Sequence, residues 1–254
     1  MALIIPVHAF YRGRGKSQIA ANLAAVLAMQ GKRVCVVDTG LQAPSIHTLL
    51  GLDDDTIGFT FDDYVQSRCR ILQATYDVTS RLHLDADGRL FLVPASRALS
   101  QVYISAGAAA DLERLVSATT TLANALTLDV LIFDTGSGLN EETLPVLAIA
   151  DTLVLVLRLD NNDYQGTSVT LDVVQQLGVM RSVLVVNEVP AAYPHSEIQQ
   201  QVEQTYDHAV AGIIPHSDEL TALAGSELFV LHYPQHPISR TFRQIAEVVL
   251  QGDR

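Results

Sequence analysis

Seven consecutive residues, Tyr11-Arg12-Gly13-Arg14-Gly15-Lys16-Ser17, carry the chain's clearest chemical signal. A loop ending Gly-Lys-Ser is built to hold an anion. Successive backbone N–H groups and the start of a helix surround phosphate oxygens, the lysine neutralises terminal phosphates, and the serine hydroxyl reaches Mg²⁺. The pattern is incomplete, because the position of the first glycine in G-x-x-x-x-G-K-[ST] holds Phe10. Three further groups fit the same chemistry. Asp38 and Asp134 each close an apolar run, where a carboxylate holds Mg²⁺ directly or through water beside such a loop. Gly136 and Gly138 after the second acid let backbone approach a terminal phosphate. Asn187 closes another run, and its amide offers a donor and an acceptor to a base such as adenine.

These groups need elements to hold them. Apolar runs at 2–7, 33–38, 90–94, 129–134, 152–157, 182–187 and 210–215 read as strands. They are continuous rather than alternating, which predicts a sheet covered on both faces. Helical periodicity at 19–28, 110–126, 165–177 and 242–250 supplies the covering helices. The prediction is an α/β fold with a doubly wound, mostly parallel sheet, as one domain spanning 1–254. In such sheets ligands bind beyond the carboxyl ends of the strands, where the loop, Asp38, Asp134 and Asn187 all fall. The segment Asp53 to Gly88 is the least regular and reads as a switch-like insertion, with Asp53-Asp54-Asp55 as a solvated helix cap.

Composition narrows the classes. The 254 residues are 48% hydrophobic and 17% charged, as in ordinary globular proteins. A net charge of −12 argues against a DNA-attracting surface, to which Arg240 and Arg243 would be the contributors. Cys35 and Cys69 form neither a disulfide framework nor a metal cluster, in keeping with a reducing compartment. Met1 leads into the first run without a charged leader, and no apolar run reaches the ~18–20 residues that span a bilayer, so the expectation is a cytoplasmic protein.

In order and spacing the motifs resemble the MinD/ParA family of deviant Walker A ATPases over essentially the whole chain. The family loop K-G-G-x-G-K-[ST] is matched by Gly13, Gly15, Lys16 and Ser17. Val36-Val37-Asp38 with Pro44, His47, Gly51 and Leu52 is similar to its first switch. The stretch from Asp129 to Glu142 resembles its Walker B and second switch, and Val185-Val186-Asn187 and Ile214-Pro215 resemble its adenine-side strands. The resemblance implies an ATP-binding switch using Mg²⁺, with Lys16, Asp38 and Asp134 in catalysis. It places Ser17, Asp38 and Asp134 at the metal, and Arg12, Gly13, Arg14, Gly15, Lys16, Ser17, Gln18, Gly136, Asn187 and Pro215 at the nucleotide. It implies a homodimer that positions a protein partner or cargo. The last helix leaves only Gln251 to Arg254, without room for a membrane anchor.

The departures concern turnover. The family's signature lysine aligns with Tyr11, its neighbouring glycine with Arg12, and a second acid two residues beyond the first with Gly40. Arg12 and Arg14 either supply phosphate contacts in the lysine's place or are solvated loop cations. Binding with weak or slow hydrolysis is the expectation. The alternative is a pseudo-ATPase scaffold that dimerises and binds partners without nucleotide. A ligase-like enzyme lacks its substrate-side charge cluster here, and an iron-protein branch lacks cysteines in the switches.

Overall fold

The computed structural model describes residues 1–40, 46–82, 84, 87–96, 108–223 and 225–251. Eight strands form one sheet: β1 (Leu3–Ala9), β2 (Arg33–Asp38), β3 (Tyr76–Asp77), β4 (Arg89–Val93), β5 (Val130–Ser137), β6 (Leu153–Leu157), β7 (Ser182–Val189) and β8 (Val210–Pro215). Their order is β3-β4-β2-β5-β1-β6-β7-β8, parallel except for β3, which runs antiparallel to β4 at the edge. The chain winds outward from β1 on one side, returns to place β5 beside it, then continues on the other side. That reversal brings the loop after β1 to the point where a doubly wound sheet opens a crevice.

Helices cover both faces, which is why the strand runs lack alternation. On one face lie α1 (Lys16–Met29), α2 (Ile46–Leu49), α9 (Phe229–His232) and α10 (Pro237–Leu250), packed over Ile5, Val7, Val36, Ile132, Val156 and Val185. The intervening residues of the same strands, including Val37, Phe91, Leu131 and Phe133, face α3 (Phe61–Val65) and α4 (Ala108–Leu126). Farther along that face, Leu155, Leu157, Leu184 and Val186 meet α6 (Asn161–Gln176) and α7 (His195–Tyr206). Two short helices, α5 (Leu144–Ala148) and α8 (Asp218–Leu223), follow β5 and β8. Every residue of α1 from Ile19 to Ala28 is buried, because the helix lies between the sheet and α10. Its run of alanines permits that close packing on two sides.

The insertion at 53–88 is more ordered than its composition suggests. It holds two single-turn 3₁₀ helices (Asp54–Thr56 and Ile71–Ala74), α3, and the edge strand β3. Helix α3 starts at a reciprocal cap between Thr60 and Asp63. The aspartate run does begin a helical turn, but no side chain caps it. Instead Asp54 pairs with His47 at 3.0 Å and Asp53 with Arg81 at 3.5 Å. Pro44, one of the switch residues noted above, lies outside the described residues.

Candidate functional site

Strand β1 delivers the loop, and the loop's shape comes from two glycines in the left-handed region, Gly13 (φ 72°) and Gly15 (φ 85°). Gly15 is also the N-cap of α1 and is closed on one side by Asn187, whose amide nitrogen occupies the space a Cβ would need. Only glycine fits there. The 14-residue α1 begins with no side-chain cap and no acid in its first turn, so its N-terminal field is left for an anion. Around this start lies a cleft of ≈ 330 Å³ lined by residues 12–18, Asp38, Gly40, Asp134 to Ser137, Asn140 and Glu142.

Two carboxylates form its floor. Asp38 and Asp134 are opposite one another in register on β2 and β5, and both are buried. Their positions follow Val36 and Ile132 in strand period, so both side chains face α1. Gly40 N–H donates to Asp38 Oδ1 at 2.8 Å, and the Ser17 hydroxyl donates to Asp134. Asp38 Oδ2 and Asp134 Oδ1 are buried without a hydrogen-bond partner among the described residues. Burial first, and then each other's charge in the case of Asp38, holds both carboxyls above their usual range, with Asp134 raised to about 6. Ser17 and Lys16 moderate the shift at Asp134. Two orphaned carboxylate oxygens beside a serine hydroxyl are a donor set for a hard divalent cation, whose charge would offset the burial that raises both carboxyls and the repulsion felt by Asp38.

Lys16 points into the same cleft and donates from Nζ to Ser137 Oγ at 2.7 Å. Its pKa is lowered by burial, with Arg12 adding to the effect and Asp134 opposing it. Behind it, His8 is fully buried, with Nδ1 2.8 Å from Thr135 Oγ1 and Nε2 without a partner among the described residues. Burial and then the charge of Lys16 push its pKa down to about 3, so the imidazole is neutral.

The loop's departures from pattern are absorbed by α6 and β6. The Phe10 ring lies against Gly166 of α6, at contact distances that exclude a Cβ there. Tyr11 meets Phe10 edge to face and lies beneath the Arg14 guanidinium, 5.6 Å from Cζ to the ring centroid. Arg14 is turned away from the cleft floor. Its Nε is 2.7 Å from Asp163 Oδ2, and its Nη2 is 3.3 Å from Asp160 Oδ2. Asp163 also accepts from the Arg158 backbone N–H at 2.8 Å. Arg158, just past β6, donates through Nη2 to the Gly13 carbonyl and pairs with Glu188, both at 2.5 Å. Arg14 is therefore a brace, whereas Arg12 is exposed and makes no ion pair among the described residues.

Asn187 braces the loop from the β7 side, donating from Nδ2 to the Arg14 carbonyl at 2.8 Å, while its buried Oδ1 has no partner among the described residues. A register irregularity between Val186 and Val189 accompanies this placement. Asn187 thus lies behind the loop, and Pro215, at the end of β8, is not part of the phosphate cleft. Gln18 lines the cleft and meets Asn22 at 3.2 Å. Sequence reasoning passed over Arg158, Asp160 and Asp163. Their place just beyond the carboxyl end of β6 was the available signal.

A parallel, doubly wound sheet with a glycine-bounded loop over two buried carboxylates defines a P-loop protein. The chain belongs to the family of the CobQ/CobB/MinD/ParA nucleotide binding domain, which matches residues 9–229. An uncharacterised ATP-binding protein of Methanocaldococcus jannaschii is 25% identical over 97% of this chain and 87% of its own length. The septum site-determining protein MinD of Bacillus subtilis is 24% identical over 94% and 85%, respectively. Among solved structures, the MinC:MinD cell division complex of Aquifex aeolicus includes a chain that superposes with a TM-score of 0.81 at 19% identity, covering 98% of this chain and 96% of that one.

Proposed function

We propose that the protein is an ATP-dependent molecular switch: it binds ATP with Mg²⁺, dimerises around the nucleotide and positions a protein partner, with slow hydrolysis. The observation that carries the reading is the pair of unsatisfied oxygens on Asp38 and Asp134 beneath Lys16 and Ser17. In this reading Ser17, Asp38 and Asp134 hold Mg²⁺, directly or through water, and the metal neutralises phosphate charge. The α1 amides with Gly13 and Gly15 surround the phosphates, and Lys16 leaves Ser137 to meet their terminal oxygens. Gly136 allows close approach of the β5 loop. Asn187 Oδ1 accepts from the adenine amino group, with Pro215 on the base side.

Relatives support the partner-positioning half. MinD of Bacillus subtilis is named for septum-site determination, and an antiactivator, FleN of Pseudomonas aeruginosa, is 30% identical over 57% of this chain and 46% of its own length. The Aquifex complex joins MinD to a protein partner. Slow turnover follows from the loop. Tyr11 carries no cation, Arg14 is committed to Asp163, and Gly40 has no side chain to order a water.

Sedimentation velocity with ATP and Mg²⁺ tests the proposal. A shift from monomer to dimer that needs both ligands is expected. A dimer indifferent to nucleotide would replace the switch with the scaffold reading.

A further inference from the structure

The cleft lacks an acid at position 40, yet another element brings a carboxylate to it. We infer that Glu142 binds and deprotonates the water that attacks the terminal phosphate, an inference that rests on the ATP-switch reading above. Glu142 lines the same cleft as Lys16, Asp38, Gly40 and Gly136. Its Oε2 lies 4.0 Å from the point where a Cβ on Gly136 would stand, so the carboxylate hangs over the backbone that follows Asp134.

The other acids around the cleft are committed. Asp38 and Asp134 form the metal floor, Asp163 holds Arg14, and Asp62 accepts from the Ser96 N–H at 2.6 Å. Glu142 is half-buried, and its carboxylate makes no hydrogen bond or ion pair among the described residues. Its position is fixed through the backbone instead. Asn140 Oδ1 accepts from the N–H groups of Glu142 and Thr143 at 3.0 and 3.1 Å. Thr143 Oγ1 donates to the Gly138 carbonyl at 2.7 Å and accepts from Asn140 N–H at 3.0 Å. A free carboxylate on a tied loop is what ordering a water requires.

Its surroundings suit the task. Burial and then the nearby Asp62 raise its pKa, while Arg12 opposes them. A more basic carboxylate accepts a proton more readily. In the step, the water oxygen bonds to the γ-phosphorus while the bond from that phosphorus to the β–γ bridging oxygen breaks. The bridging oxygen keeps the electron pair on ADP, and the water's proton passes to Glu142.

The test uses the full chain in single-turnover hydrolysis of ATP with Mg²⁺, beside binding of mant-ATP. Glu142→Gln and Glu142→Ala are expected to hydrolyse about 10²-fold more slowly, with mant-ATP affinity kept within about threefold. Formate should restore Glu142→Ala about tenfold or more but not Glu142→Gln, whose side chain fills the space. Glu141→Gln, altered at an exposed neighbour, should match wild type. Hydrolysis at the wild-type rate in Glu142→Gln overturns the inference. So does a wild type that binds mant-ATP without hydrolysing it, or a slowed Glu142→Ala that formate does not restore. A wild type that binds no mant-ATP overturns the switch reading itself, and the inference with it.

Discussion

Asp134→Asn should make the nucleotide-free protein more stable while disabling its ligand response. In the fold, Asp134 is buried beside Asp38, and its pKa rises from an ordinary 3.8 to about 6. A carboxyl whose folded pKa is raised stabilises the fold fully below its unfolded value and loses that contribution as pH climbs through the folded one. Above pH 7 the charged form therefore costs about 3 kcal/mol, from roughly 1.4 kcal/mol per pKa unit. Asparagine keeps the shape and removes the charge, which also relieves the repulsion on Asp38. The variant should gain about 3 kcal/mol at pH 8, or a melting temperature higher by on the order of 5–10 °C. The gain should shrink as pH falls through 6 and vanish below about 4. Urea unfolding of both proteins at pH 8 and pH 4, without magnesium, reads this directly. Addition of ATP and Mg²⁺ at about 100 times Kd should then stabilise wild type by about 2.7 kcal/mol and the variant far less. A variant no more stable than wild type at pH 8 would refute the claim that burial holds the Asp134 carboxyl above its usual range in the folded protein.

Two other sites have readable consequences. Asp163→Ala removes the buried acceptor of both Arg14 and the Arg158 backbone N–H, and should lower stability by about 2–3 kcal/mol in denaturant unfolding while weakening ATP binding through the slackened loop. His8, neutral in the fold with a pKa of about 3, gives the opposite pH sign to Asp134. Its folded value lies below its unfolded one, so stability is lost as pH falls below 6.5. Relative to His8→Leu, wild type should lose about 2 kcal/mol between pH 7.5 and pH 5 in paired denaturant titrations.

Much of this was legible before any coordinates. The runs at 33–38 and 210–215 coincide with β2 and β8 because a strand buried on both faces is apolar along its whole length. The loop, its two acids and the helix behind it were legible for the same local reason: each is specified by neighbouring residues. What stayed hidden depends on partners far away in sequence. Nothing near Arg14 announces Asp160 and Asp163, and nothing near Asn187 says that its amide will press on Gly15. Strand β3, two residues long, is too short to show a pattern. The cap at Thr60 and Asp63 was a readable signal for α3 within a stretch read only as an irregular, switch-like insertion. Glu142 needed the fold to reveal that it shares a cleft with Gly40.

In the proposed switch the altered loop binds ATP with magnesium through Lys16 and the paired acids. Calorimetric titration of the protein with ATP and Mg²⁺, beside the same titration of Lys16→Ala, tests it most directly. Saturable binding in the micromolar range that needs Mg²⁺ and is lost in Lys16→Ala is the predicted result. Absence of binding in the wild-type protein, or equal binding by Lys16→Ala, would contradict the account.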